Sequence, residues 1–187
     1  MITITDLKLH DTAAFNTAAE LLVTGFAVSA PEAWPDLPSA REEVEQACTP
    51  GNICRAARAA DGRVVGWIGG RPQYAGNVWE LHPLVVDGAW QGQGIGRALV
   101  VDFEAHVVAR GGITITLGTD DETNRTSLGG VDLYPSVWEH IQHIRNLHRH
   151  PFTFYQKCGF VIVGVVPDAN GFGKPDILMA KRVAGTI

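Results

Sequence analysis

Cysteine is scarce in this sequence. Three cysteines occur among 187 residues, at Cys48, Cys54 and Cys158, and no two of them form a C-x-x-C pair. An odd number of cysteines without paired spacing argues against a disulfide framework and against a zinc site. We therefore expect reduced thiols with structural roles.

Long apolar segments and an excess of basic residues are also lacking. No apolar run approaches the roughly 20 residues that a membrane-spanning helix needs, so we expect no membrane partner. Asp and Glu number 20 against 15 Lys and Arg, and the formal net charge of −5 disfavours nucleic acid and suits a cationic substrate. The first residues lack the basic flank and apolar core of a secretory signal, which predicts a cytoplasmic location.

Four histidines in the last third of the chain raise the question of a metal site. They are His140, His143, His148 and His150. Two of them lie three residues apart on a predicted helix, but they lack Cys or Glu partners at the spacing of metal ligands. We predict that the chain holds no metal and that these histidines are surface or capping residues.

The length of the chain fits one domain with a hydrophobic core, and no repeat or linker divides it, so residues 1–187 are expected to form a single domain. Hydrophobic periodicity and turn signals predict an α/β protein. The predicted strands are 2–9, 53–60, 63–74, a strand that ends at 86, 113–117, 160–166 and 176–183. The predicted helices are 13–25, 39–48, 98–110, 136–147 and 151–158.

Local signals set several of these boundaries. Asp11 is the predicted N-cap of the first helix and Gly25 its predicted end, while Ser39 to Glu42 reads as a capping box for the second helix. Asp61-Gly62 predicts a tight hairpin. The order of strand, loop, helix and strand from Val86 to Leu117 predicts a parallel crossover.

A glycine-rich stretch follows the strand that ends at Val86. Gln91-Gly92-Gln93-Gly94-Ile95-Gly96 separates this strand from the helix-forming residues that begin at Arg97. Glycines at such a junction let the backbone approach a ligand, and the first N–H groups of the helix favour a phosphate. The spacing does not fit G-x-G-x-x-G, and no P-loop Lys follows. It fits Q-x-x-G-x-G.

This loop resembles the pyrophosphate-binding loop of the GCN5-related N-acetyltransferase superfamily. A second segment, Pro151-Phe152-Thr153-Phe154-Tyr155-Gln156-Lys157-Cys158-Gly159-Phe160, is similar to the late helix-to-strand signature of that superfamily. The resemblance implies an α/β fold with a mixed, twisted sheet of about six to seven strands flanked by helices. It also implies that this sheet splays at its central parallel pair, near Leu84, to admit acetyl-coenzyme A.

Four further segments resemble one branch of that superfamily, the aminoglycoside 6′-N-acetyltransferases of the enterococcal type. They are Trp79-Glu80-Leu81-His82-Pro83-Leu84-Val85-Val86, Leu117-Gly118-Thr119-Asp120-Asp121, His150-Pro151-Phe152-Thr153-Phe154-Tyr155, and Pro167-Asp168-Ala169-Asn170-Gly171 with Lys174-Pro175-Asp176. The resemblance runs from about Trp34 to Lys181, whereas the early loop and segment 122–135 depart from it. It implies transfer of acetyl to the 6′-amine of an aminoglycoside, and a homodimer.

Acetyl transfer to an amine needs a base, a stabilised oxyanion and a proton for the departing sulfur. Strand alternation places Glu80 and His82 on one face, so Glu80 is the predicted base, acting directly, through water or through His82. The Leu84 N–H, which follows a proline without a donor, is the predicted oxyanion partner. The resemblance makes Tyr155 the acid.

The remaining site residues are implied by the same resemblance. Coenzyme contacts are expected from Val85, Val86, Gln91, Gly92, Gln93, Gly94, Ile95, Gly96, Arg97 and Tyr155. Substrate contacts are expected from Trp34, Tyr74, Glu80, Asp120, Asp121 and Asp176. Loop acids can hold ammonium groups, although they are more often solvated, and Trp34 can equally be a hydrophobic anchor of its loop.

Two other functions stay open on the sequence. The chain can be an acetyltransferase of another amine, such as a polyamine or a protein lysine, because the acids and Trp34 do not exclude either. It can also be a non-catalytic sensor of acyl-coenzyme A that keeps the glycine loop. Glu80 and Tyr155 argue against the sensor, and turnover with any amine would eliminate it.

Overall fold

Seven strands and five α-helices form residues 2–185, the part of the chain that the computed structural model describes. The strands are β1 Thr3–Asp6, β2 Ile53–Arg58, β3 Val64–Gln73, β4 Val78–Val86, β5 Thr114–Asp120, β6 Val161–Val166 and β7 Asp176–Arg182. The helices are α1 Thr12–Phe26, α2 Leu37–Ala47, α3 Ile95–Ala109, α4 Val137–Gln142 and α5 Phe152–Lys157. The sheet order is β1-β2-β3-β4-β5-β7-β6, which confirms the predicted mixed α/β sheet flanked by helices.

The contacts within the chain define two compact units. The first is formed by residues up to Ile115 together with those from Arg182 onward, and the second by Thr116–Lys181. The sequence predicts a single domain.

In the first unit, strands β1 to β4 are joined antiparallel in chain order. The predicted Asp61-Gly62 hairpin joins β2 to β3, and Gly62 has the positive φ of +87° that such a turn requires. Helices α1 and α2 bury Leu22 and Val44 in a core that centres on the fully buried Trp67. The indole Nε1 of Trp67 donates to the carbonyl oxygen of Ala18 at 3.0 Å, so the largest core side chain also has its polar atom satisfied.

The end of α1 and the start of α2 differ from the prediction. Helix α1 continues past Gly25 to Phe26, and a Cβ at Gly25 would lie 2.6 Å from Cγ2 of Val85, so this glycine permits close packing rather than ending the helix. Helix α2 begins before Ser39, because Asp36 is the N-cap and its Oδ1 accepts from the Ser39 N–H at 2.9 Å.

The second unit contains most of β5, with α4, α5 and the antiparallel pair of β6 and β7. Its buried side chains include Leu117, Leu128, Phe160 and Met179. Helix α4 ends at Gln142, shorter than the predicted 136–147. The chain leaves the helix because residues 145–148 pair with residues 125–127, through bonds such as Ser127 N–H to the Arg145 carbonyl at 3.0 Å.

No helix within residues 2–185 is both long and apolar enough to cross a membrane.

Candidate active site

The glycine-rich stretch forms a turn that leads directly into α3. Gly92 and Gly94 have φ values of +76° and +83°, which L side chains rarely adopt. A Cβ at either position would meet no atom within 4 Å, so the turn is open on its outer side. The side-chain amide of Gln91 donates to the Val86 carbonyl at 3.1 Å and ties the turn to the end of β4.

Helix α3 begins at Ile95, three residues earlier than predicted, with Gly94 as its N-cap. No side chain caps this end, and the first backbone bond of the helix is from Ala98 N–H to the Gly94 carbonyl at 3.0 Å. The N–H groups of Ile95, Gly96 and Arg97 are therefore at the positive end of the helix without intrahelical acceptors. This arrangement fits a phosphate or pyrophosphate group.

Strand β4 carries a bulge in its middle. Gly70 pairs with Leu81 and Ile68 pairs with Leu84, so Gly69 alone faces His82 and Pro83, which are joined by a cis peptide bond. A Cβ at Gly69 would lie 2.5 Å from the His82 carbonyl oxygen, which explains the glycine at that position. Leu84, whose N–H is the predicted oxyanion donor, follows the bulge directly.

Glu80, His82 and Leu84 share the less buried face of β4, as alternation predicts, while Leu81 and Val85 are buried on the opposite face.

The carboxylate of Glu80 is held by two side chains of β3. Arg71 Nε donates to Glu80 Oε2 at 2.7 Å, and Gln73 Nε2 donates to the same oxygen at 2.8 Å. No hydrogen bond formed within residues 2–185 ends on Oε1 of Glu80. The ion pair with Glu80 is the largest cause that raises the pKa of Arg71. The pair fixes the orientation of the carboxylate and leaves one oxygen facing away from its partners.

His82, on the same face of β4 as Glu80, contacts residues of two other segments. Its Nε2 lies 3.7 Å from Oε2 of Glu43 on α2, and its ring lies 5.7 Å from the ring of Trp34. Trp34 also contacts Phe26 edge to face, with ring centroids 4.7 Å apart, and packs against the core of the first unit. Trp34 therefore anchors the early loop beside His82, so its packing role and a substrate role are compatible.

The structure adds Arg71, Gln73 and Glu43 to the residues named from the sequence. The sequence could have indicated Arg71 and Gln73. A hairpin in which Gln73 pairs with Val78 places Arg71 opposite Glu80, and strand alternation puts Gln73 on the same face as Arg71. No local pattern connects Glu43 on α2 with His82 on β4, since that contact depends on helix packing.

Tyr74 lies in the turn between the two strands with its side chain 78% exposed, a position open to a ligand.

Tyr155 lies on α5 with its ring packed against Phe154 and Phe160, at centroid distances of 5.1 Å and 5.7 Å. Burial raises the pKa of this phenol well above its ordinary value, which keeps the hydroxyl protonated. Its hydroxyl forms no hydrogen bond with another group among the described residues, 2–185. Tyr155 therefore offers a protonated donor in an apolar setting.

The three acids predicted to contact the substrate lie in different environments. Asp120 is exposed at the end of β5, and its Oδ1 accepts from Asn170 Nδ2 at 2.6 Å. Asp121 is fully buried and accepts from the Arg125 and Thr126 N–H groups and from the Thr126 hydroxyl at 2.6 to 2.9 Å. Asp176 begins β7 with its carboxylate close over Gly118. Asp121 thus organises its own loop, whereas Asp120 faces outward.

His150 is buried rather than at the surface, and its ring accepts a hydrogen bond from the first residue of α5, which is the capping role expected of it. It is 1% exposed, its Nε2 lies 2.9 Å from the Asp120 carbonyl, and its Nδ1 accepts from the Phe152 N–H at 3.3 Å. These partners require the neutral ring with its proton on Nε2. Burial is the largest cause that lowers the pKa of His150. Among residues 2–185 no group of three His, Cys, Asp or Glu side chains is placed to hold a metal ion.

Comparisons with known proteins identify the family of this chain. Residues 18–134 match the family described as acetyltransferase (GNAT) family. An aminoglycoside 6′-N-acetyltransferase solved with coenzyme A is 40% identical to this chain, with a TM-score of 0.90. The aminoglycoside 6′-N-acetyltransferase from Enterococcus faecium is 42% identical with a TM-score of 0.88, and an aminoglycoside 6′-acetyltransferase type Ii is 37% identical with a TM-score of 0.75. Each comparison covers 99% of both chains, and no curated protein matches.

Proposed function

Because the chain belongs to the GNAT family of acetyltransferases, we propose that it transfers the acetyl group of acetyl-coenzyme A to the 6′-amine of an aminoglycoside. The observation that carries this proposal is the 40–42% identity, over 99% of each chain, to two proteins described as aminoglycoside 6′-N-acetyltransferases. The complex of one of them with coenzyme A supports the same coenzyme here.

The glycine turn and the start of α3 are the proposed pyrophosphate site. The open outer side of Gly92 and Gly94 and the uncapped N–H groups of Ile95 and Gly96 support this assignment. Gln91, Gln93, Arg97, Val85 and Val86 complete the proposed coenzyme contacts. Acetyl-coenzyme A supplies the activated acyl group, and the residues of the turn hold and orient it.

Glu80 is the proposed base for the attacking amine. The hydrogen bonds from Arg71 and Gln73 occupy Oε2, so Oε1 is the oxygen proposed to accept a proton, directly, through a water or through His82. The Leu84 N–H is proposed to stabilise the negative charge that develops on the thioester oxygen. Both groups belong to one strand, which supports a fixed geometry between base and oxyanion donor.

Tyr155 is the proposed acid for the departing sulfur. Its protonated hydroxyl, free of other hydrogen-bond partners within the described chain, supports donation to a thiolate. The acetyl carbon gains a bond to the amine nitrogen as its bond to sulfur breaks, and the phenol supplies a proton or a strong hydrogen bond to that sulfur.

Asp120, Asp176, Trp34 and Tyr74 are the proposed contacts to the cationic acceptor. The exposed carboxylate of Asp120 suits an ammonium group, and the exposed ring of Tyr74 suits a sugar face. We leave Asp121 out of this set, because both of its oxygens accept hydrogen bonds from its own loop.

We also propose a single acetyltransferase domain, and the match over residues 18–134 supports it because that match extends past Ile115, where the first unit meets the second. A cytoplasmic location, expected from the first residues, and a homodimer, implied by the resemblance, stay predictions. Sedimentation of the purified chain tests the second of them.

Release of coenzyme A thiol tests the activity. Purified protein with acetyl-coenzyme A is expected to release thiol many times faster when a kanamycin-class aminoglycoside is added. A polyamine and a lysine peptide serve as rival acceptors. Faster release with either rival, and none with a broad panel of aminoglycosides, would overturn the assigned acceptor while leaving the family intact.

A further inference from the structure

Two cysteines that no step of the proposed reaction uses lie side by side in the first unit. Cys48 follows the last residue of α2, Cys54 is the second residue of β2, and their Sγ atoms are 2.7 Å apart. Both are free thiols. A disulfide joins its sulfurs at about 2.05 Å, so bond formation here needs less than ~1 Å of movement.

The turn between the two cysteines is held by its own hydrogen bonds. The Asn52 N–H donates to the Thr49 carbonyl at 3.0 Å, and the Asn52 side chain donates to the Gln46 carbonyl at 3.0 Å. Gly51 supplies a φ of +100°. The backbone therefore keeps the thiols facing each other without any bond between the sulfurs.

A cleft of about 220 Å³ gives solvent access to this pair. Its lining includes both cysteines together with Asp6, Arg55 and Arg110. Neither cysteine is fully buried. Ion pairs with Asp6 and Asp102 offset the charge of Arg55, so the closeness of the two sulfurs, rather than local positive charge, favours a reaction between them. A small oxidant can therefore reach two thiols that already touch.

The thiol pair can react in two steps. A hydrogen bond between the two thiols and burial both raise the pKa of Cys54. Either thiol can react first with the oxidant, and the other then serves as the resolving thiol.

We propose that Cys48 and Cys54 form a reversible dithiol–disulfide site that small disulfides of the glutathione class oxidise. The thiolate of one cysteine attacks one sulfur of the small disulfide and releases one small thiolate. The thiolate of the other cysteine then attacks the protein sulfur of the mixed disulfide and releases the second. The two cysteines lose two electrons, the small disulfide gains them, and the two cysteine protons pass to the released thiolates.

Formation of this bond has a measurable consequence for the fold. The disulfide closes the short loop from Cys48 to Cys54 and tethers the end of α2 to β2. Restricting the unfolded chain in this way is expected to raise the unfolding temperature by roughly 5 °C. Reduction with dithiothreitol is expected to reverse the rise.

Peptide mapping after oxidation tests the pairing. Trypsin cuts after Arg41 and Arg55, so one peptide, residues 42–55, contains both cysteines, while Cys158 falls in another. Native protein treated with oxidised glutathione and then alkylated should yield peptide 42–55 two hydrogens lighter and without alkyl groups. Alkylation of both cysteines in that peptide, or glutathione left on either one, would overturn the proposal.

Two comparisons distinguish a cysteine pair that the fold holds ready to form a disulfide from a pair that is oxidised without help from the fold. The equilibrium constant for disulfide formation by glutathione should be at least about tenfold larger for the native protein than for the urea-unfolded chain. A disulfide that stabilises the folded state must, by thermodynamic linkage, form more readily in that state. Equal or weaker formation in the native protein contradicts the proposal. The variant C158S should keep the thermal shift and C54S should lose it, and a shift that follows Cys158 instead would also overturn it.

Discussion

Arg71 Nε donates a hydrogen bond to Glu80 Oε2 at 2.7 Å across the β3–β4 pair, at the register position where these two residues face each other. Gln73 donates to the same oxygen. The carboxylate proposed as the base is thus oriented from one side by two donors. The proposed function of Glu80 as a base depends on its other oxygen, Oε1.

Glu80→Gln is expected to lower kcat by about 100-fold or more, because the amide cannot accept the proton of the amine. The measurement is thiol release at saturating acetyl-coenzyme A and aminoglycoside. Glu45→Gln, which makes the same charge change at an exposed position on α2, should leave the rate unchanged. Wild-type turnover by the Glu80 variant at every pH tested would remove Glu80 from the mechanism.

Gly94→Ala is expected to weaken coenzyme A binding by about tenfold, since a side chain at φ +83° costs about 1 kcal/mol or more and disturbs the start of α3. Titration calorimetry with coenzyme A measures the change. The matched control is Gly88→Ala, because a Cβ at Gly88 meets nothing within 4 Å and its φ is not positive. Equal affinity of the two variants would contradict the proposed pyrophosphate site.

Tyr155→Phe is expected to lower kcat by about 10-fold to 100-fold with little change in coenzyme binding, because only the proton donor is lost. Burial raises the pKa of Tyr155, so its deprotonation should cause no loss of activity on the alkaline side up to pH near 10. Phe154→Leu alters a ring that packs on Tyr155 but keeps the hydroxyl, and serves as a packing control. If Phe154→Leu lowers the rate more than Tyr155→Phe does, the effect of the Tyr155 variant is explained by packing, and Tyr155 is not the acid.

His150 gives a prediction about stability and pH. Burial holds the pKa of His150 below its ordinary value of 6.5 in the folded chain. The unfolded chain therefore binds a proton as the pH falls through that value, whereas the folded chain does not. The contribution of neutral His150 is fully present above the ordinary pKa and is lost as the pH falls towards the folded pKa.

His150→Gln is therefore expected to lower the free energy of unfolding by about 1–3 kcal/mol at neutral pH and to reduce its decline between about pH 7 and pH 5. Urea unfolding at both pH values measures these effects. His148→Gln changes an exposed neighbour and should do neither. An unaltered pH dependence in the His150 variant would show that another group is responsible.

The sequence predicts most of the fold because hydrophobic period, hairpin turns and glycine junctions are local signals. The Asp61-Gly62 hairpin and the junction from β4 to α3 follow from such signals. The prediction that Gly25 ends α1 is wrong, because glycine is needed there for close packing against Val85, a residue distant in sequence. The end of α4 was also wrong, because pairing with residues 125–127 outweighs a helical pattern.

In the candidate site, too, local patterns predict some features, while others depend on contacts between residues distant in sequence. Glu80 and His82 could be placed on one face of β4 from alternation alone. The partner of His82, Glu43, belongs to α2, and no local pattern indicates which helix face packs beside a given strand. Asp121 could not be distinguished from Asp120 by sequence, since burial of one and exposure of the other depend on how the following loop folds back.

The position of the acetyl group in the product shows directly whether the chain acetylates the 6′-amine of an aminoglycoside. Kanamycin should be incubated with the purified chain and acetyl-coenzyme A, and the product analysed by two-dimensional NMR. A single acetyl group on the 6′-nitrogen is expected, with no product from an aminoglycoside that carries a hydroxyl at that position. An acetyl group on another nitrogen, or equal turnover of the 6′-hydroxyl compound, would contradict this activity.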